Sequence, residues 1–141
     1  MKKYILIVTT LVFTIAIGCK EEKKESTDSN QMEQVMAIHD EVMPKMSKIG
    51  RLVAQLRKKI DSDQGGVEEK EAMEALQDAN KSMMDWMQSF GNRFDSDEIM
   101  NGKALTDEKK HWLNEEEEKV KLVAEKMNSS IAAAEALLSE K

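Results

Sequence analysis

Cysteine is almost absent: the 141-residue chain has one, Cys19. A lone cysteine rules out an intramolecular disulfide, a multi-cysteine metal centre and the Cys-x-x-Cys-His attachment of a c-type haem. Proline occurs once and glycine six times, too few punctuation points for a chain of many short strands. Aromatic residues make up only 4%, so any core is built from aliphatic side chains and methionine. Positive charge is in deficit, with 21 Lys and Arg against 27 Asp and Glu, a net charge of -6. An acidic surface repels phosphate backbones, which argues against nucleic acid as a partner. No Ser/His/Asp, Cys/His or paired-carboxylate arrangement suggests catalysis, and no His-Glu-x-x-His metal motif is present.

One segment is apolar without charge. Lys2 and Lys3 precede residues 4–17, which include Ile5, Leu6, Ile7, Val8, Leu11, Val12, Phe13 and Ile15. A basic start, a short apolar run and small residues before a cut site form a secretory signal. The run falls short of the ~20 residues that cross a bilayer. Ala16-Ile17-Gly18-Cys19 resembles the lipobox of bacterial lipoproteins, with Ala16 where leucine is usual. The resemblance implies cleavage before Cys19 and acylation of that cysteine. The protein would then be anchored in the cell envelope by lipid. The mature charge falls to -8, because Lys2 and Lys3 leave and 19 cations face 27 acids.

Residues 19–30 are the lipidated cysteine and a polar tether, with nothing apolar to bury after Cys19. Lys20 is not an aspartate, which points away from inner-membrane retention and towards the outer membrane, facing periplasm or surface. Lys20-Glu21-Glu22 resembles the surface-export signal of some Gram-negative lipoproteins, and a solubilising spacer reads as well.

Residues 31–141 form one domain, for which the pattern predicts three helices. In the first, Met32, Val35, His39, Val42, Met46, Ile49, Val53, Leu56 and Ile60 alternate steps of three and four, a bundle or coiled-coil seam. Asn30 with Glu33 is a capping-box-like start. Pro44 interrupts the pattern and predicts a kink within this helix. Asp61-Ser62-Asp63-Gln64-Gly65-Gly66 ends it as an acidic turn. That turn starts like a calcium-binding loop, but Ala72 stands where a bidentate acid is needed. The second helix carries Met73, Leu76, Asn80, Met83, Met87, Phe90 and Phe94. Residues 95–104 read as a loop with a turn at Asn101-Gly102. The third helix starts at the cap Thr106 and carries Leu113, Val120, Ala124, Met127, Ile131, Ala134 and Leu138, with Trp112 and Val123 beside them. Glu117 falls on that seam. Short links favour an antiparallel, up-down-up three-helix bundle. A dimeric coiled coil is the rival.

His39-Asp40-Glu41-Val42-Met43-Pro44-Lys45-Met46 and the later Met83-Met84-Asp85-Trp86-Met87 with Phe90 resemble stretches of a group of small bacterial lipoproteins. Those proteins are often labelled "viral A-type inclusion protein", a name that follows from coiled-coil similarity. The resemblance covers most of the mature domain and implies its architecture and envelope location, without an activity.

Two functional readings follow. The first is a non-enzymatic, lipid-anchored binding or structural module that meets a protein partner or another copy of itself. The second is copper(I) binding, because thioether and imidazole donors suit a soft ion. A fold-back at Gln64-Gly65 sets Met43 level with Met84 and His39 level with Met87. A second fold-back near residue 99 brings His111 and Trp112 to the level of Met87. The candidate ligands are therefore His39, Met43, Met46, Met84, Met87 and His111, with Met36 on the same stripe. Against this, methionine is a flexible core filler, and the structural reading of these residues is the stronger.

Overall fold

The computed structural model describes residues 27–62 and 64–139. The expected signal peptide of residues 1–18, Cys19 and most of the tether lie outside the described residues. Five helices follow in order: α1 Thr27–Val42, α2 Lys45–Asp61, α3 Val67–Arg93, α4 Ser96–Met100 and α5 Asp107–Ser139. The fold is an all-α bundle, and among the described residues no strand occurs.

The first rod starts earlier than the sequence pattern suggests. Residues 27–30 belong to α1 rather than to the tether, and Asn30 is not its cap. Asp28 lies in the first turn, where the helix dipole favours an acid, and its carboxylate is 3.5 Å from Lys110 Nζ on α5. Gln31 adds hydrogen bonds to Asn114 and Glu117. These cross-links to α5 hold a stretch that has no apolar pattern of its own.

Pro44 does more than kink one helix; it separates two. The Met43 amide still donates to His39 O at 2.9 Å. Pro44 has no amide to offer Asp40 O, and the next bond is a tighter one from Met46 N to Met43 O at 3.1 Å. Pro44 itself keeps helical angles, φ -61 and ψ -24. The seam therefore continues across the break, with Val42 and Ile49 both buried.

Caps position the other two rods. Glu69 Oε2 reaches back to accept from the Gly66 amide at 2.6 Å, which starts α3. Thr106 Oγ1 accepts from Lys109 N, the cap expected for α5. The stretch between them is not all loop. Asp95 and Glu98 form a reciprocal capping box, with Asp95 Oδ1 accepting from Glu98 N at 2.9 Å and Glu98 Oε2 from Asp95 N at 2.8 Å. That box builds α4. Gly102, at φ +64, then makes the expected turn in a region few side chains tolerate.

Cross-links define the directions. Gln31 meets Asn114, and Lys45 meets Asn128, so α1 and α2 run parallel to α5. Arg93 meets Glu115, and Lys126 meets Asp78, so α3 runs antiparallel to both. Val35, Leu56, Leu76, Met83, Leu113, Val120 and Met127 are fully buried along the axis. Rod α3 buries more than its predicted seam, since Ala72, Ala79 and Trp86, spaced by seven, are also buried. It packs on both α2 and α5, so it needs a broader apolar face than one stripe. On α5 the buried acid is Glu116, not Glu117: Glu116 has no exposure, because a step of three from Leu113 leads to it.

Candidate functional site

The side chains with most chemistry gather where the end of α1 and the C-terminal half of α3 meet α5. Trp86, Phe90 and Phe94 recur every four residues, which stacks them along one face of α3. Centroids are 4.9 Å apart from Trp86 to Phe90 and 4.9 Å from Phe90 to Phe94. His39, in the last turn of α1, extends the row with its ring 5.6 Å from Trp86 and tilted by 33°. Its Nδ1 lies 2.9 Å from Asp40 Oδ1.

Glu116 stands on the α5 side of this row. The Trp86 indole N–H donates to its backbone carbonyl at 3.3 Å. Its side chain is fully buried, and one oxygen takes every contact. Oε1 is 3.0 Å from Arg93 Nη1, 2.9 Å from Lys119 Nζ and 3.5 Å from Ser89 Oγ. Oε2 has no hydrogen-bond partner. Arg93 also holds Glu115 at 2.6 Å and lies over the Trp112 ring at 5.4 Å. The Arg93 hydrogen bond keeps the Glu115 carboxyl below the usual carboxylate range. Lys121, followed by Gln31, does the same for Glu117. This cluster is a charge network stapling α3 to α5. Arg93 has no sequence pattern that marks it, whereas the Leu113-Glu116-Val120 spacing carries the signal for the acid.

The six proposed metal ligands are only partly brought together. The α1–α3 register is as expected to within about a residue, since His39 meets Trp86. Met43, Met46 and Met87 are half-buried against the core, which is how gap-filling methionines sit. Met84 is 50% exposed, on the solvent side of its helix. His111 is not part of the group: its side chain is 76% exposed and its Nε2 is 3.4 Å from Glu115. The reason is register. Arg93 lies over Trp112, so the α3–α5 reversal is centred near residue 103 (midway between 93 and 112) rather than 99. The residue of α3 level with His111 is therefore about 94 rather than Met87. The two tryptophans consequently have different neighbours, His39 for Trp86 and Arg93 for Trp112. Among the described residues, no group of three or more His, Cys, Asp or Glu converges to hold a metal ion.

Among the described residues, surface depressions flank the bundle. A groove of about 210 Å³ lies between α1 and the α4–Gly102 turn, with Met32, Met36 and Met100 in its lining and Glu33 and Asp40 at its edge. A cleft of about 360 Å³ lies between α2 and the end of α5, with Lys48, Arg51 and Gln55 beside Leu52 and Leu138. Among the described residues, no helix is long and apolar enough to cross a membrane. Comparison with protein-family models, curated proteins and solved structures finds no match.

Proposed function

We propose that this chain is a lipid-anchored protein of the bacterial cell envelope whose helical bundle is a non-enzymatic binding or structural module. The observation that carries the reading is Ala16-Ile17-Gly18-Cys19 placed directly after a basic start and a short apolar run. Several acyl chains on one residue anchor a protein stably, at ~0.8 kcal/mol per buried methylene. Lys20 after the cysteine suits the outer membrane, with the bundle facing periplasm or surface. The resemblance to the small lipoproteins with a His-Asp-Glu-Val-Met-Pro stretch supports the same location. The test is metabolic labelling with a fatty acid. The parent takes up label; Cys19→Ser does not. Equal labelling of the variant would defeat the reading.

Copper(I) binding is a second reading, favoured by one observation. Asp40 engages Nδ1 of His39, as second-sphere carboxylates do for ligand histidines. Met43 and Met87 are the thioethers nearest in register. A copper(I) competition titration decides it: tight one-to-one binding that His39→Ala abolishes supports it, and no competition removes it.

A further inference from the structure

Charge is segregated along this chain. Rod α2 carries Lys45, Lys48, Arg51, Arg57, Lys58 and Lys59 with Asp61 as its single acid, a net +5. Every other helix is net negative, α1 with Asp28, Glu33, Asp40 and Glu41 and no Lys or Arg, and α3, α4 and α5 with more acids than bases. A cationic helix in a chain of net charge -6 is not a consequence of composition.

The charge is also presented outward. Ile49, Leu52 and Leu56 face the core, and at 100° per residue Ser47, Gly50, Arg51, Ala54, Arg57 and Lys58 fall on the opposite side. All six are exposed. The small residues leave that face flat between its cations, and a side chain added at Gly50 would meet nothing within 4 Å. The inward cations are neutralised: Lys45 pairs with Glu41, Lys48 with Glu135 and Lys59 with Glu69. Arg51, Arg57 and Lys58, by contrast, have no acidic partner among the described residues. Arg51 stands at the edge of the cleft whose other wall is Leu138.

We propose that this face of α2 is a docking surface for anionic phospholipid headgroups. The inference rests on the anchored reading above, which keeps the bundle beside a bilayer. Arginine and lysine bind phosphate through charge-assisted hydrogen bonds, and clustered basic residues near a membrane favour anionic lipids. Cys19 precedes α1 by eight residues, a reach of at most about 28 Å. The middle of α2 lies about 39 Å along the rod from the start of α1 at 1.5 Å per residue. Contact through α2 therefore lays the bundle along the membrane instead of standing it upright. The acidic α1 end stays near the anchor, and α3 and α5 face outward.

The test uses the full mature chain carrying Cys19→Ser, so that no lipid contributes. Cosedimentation is measured with vesicles of phosphatidylcholine alone and of equal parts phosphatidylcholine and phosphatidylglycerol. Binding to the anionic vesicles alone is expected, weakening as salt shortens the Debye length. The Arg51→Gln/Arg57→Gln/Lys58→Gln variant should bind about a hundredfold more weakly, at about fivefold per cation. A charge-matched control, Lys70→Gln/Lys81→Gln/Lys121→Gln, should bind nearly as the parent, and circular dichroism should show all three chains folded. Equal binding by the two triple variants, or binding to both vesicle types alike, would overturn the proposal. So would equal competition by inorganic phosphate at vesicle-phosphate concentration, which would point to a free anion. Self-association lost in the α2 variant, without vesicle binding by the parent, would reassign the face to a second copy. Because no acyl chain is present, fatty-acid labelling can fail or succeed independently of this result.

Discussion

Lys59 Nζ lies 2.9 Å from Glu69 Oε1, joining the end of α2 to the first turn of α3. The same ammonium donates to Leu137 O on α5 at 2.8 Å, so one cation touches all three rods. Glu69 also accepts from the Gly66 amide. The Lys59 hydrogen bond, followed by the Gly66 amide, holds its pKa down at about 2 from 4.5. A carboxyl depressed in the folded state stabilises above its unfolded pKa, and that contribution fades as pH falls towards the folded value. The stability difference between parent and Glu69→Gln should be full above about pH 5 and shrink between pH 4.5 and 2. Denaturant midpoints across that range check it. A difference that does not change with pH would refute the linkage.

Arg93 and Glu116 make a second testable pair. Removing one member of a buried ion pair strands the other. Arg93 is 25% exposed and Lys119 still reaches Glu116, so the cost falls below that of a fully buried pair. Arg93→Met should destabilise by about 2 kcal/mol. The double variant Arg93→Met/Glu116→Met should recover most of that loss, because an apolar pair needs no solvation. A double-mutant cycle in urea measures the coupling, and purely additive losses would contradict it.

Pro44 offers a stabilising change. It is exposed, and its backbone angles are those of a helix. Pro44→Ala restores an amide for Asp40 O without strain. The gain is reduced by the lost rigidity of the unfolded chain, worth about 0.4–1 kcal/mol. A net rise of about 1 kcal/mol and stronger helical dichroism are expected, consistent with the penalty for interior proline. A fall in melting temperature would mean that the break itself is needed for packing.

Core and surface should separate cleanly. Leu56 is fully buried and Leu122 is 65% exposed. Leu56→Ala should cost about 2–5 kcal/mol, and Leu122→Ala should stay within about 0.5 kcal/mol. Comparable losses at both positions would show that α5 covers another surface at Leu122.

The helical rods were legible because burial follows the 3.6-residue period, which residues such as Val35, Val42, Ile49 and Leu56 display directly. Thr106 as a cap and Gly102 as a turn were legible for equally local reasons. The α4 capping box was present as Asp95 and Glu98, yet a five-residue helix carries no apolar period to reveal it. The candidate ligand group depends on register across both reversals. His39 meets Trp86, within about a residue of the expected level, because only a short turn links α2 to α3. His111 lies about seven residues from that level, opposite residue 94 rather than Met87, because the α3–α5 reversal is centred near residue 103.

Local chemistry in the sequence determined the all-α class, the apolar stripes and two of the turns. Each depends on residues a few positions apart, whose spacing is enough to define it. Tertiary structure decided the rest. Packing against α5 turned residues 27–30 from tether into helix, and α3 gained a second buried stripe by packing on both α2 and α5. Glu116 became the buried acid through its contacts with Arg93 and Lys119, groups on two different helices. The cations of α2 were divided by the same packing, with Lys45, Lys48 and Lys59 neutralised across helix contacts and Arg51, Arg57 and Lys58 left facing solvent. Sequence shows that these charges exist; only the arrangement of the rods shows which of them find a partner.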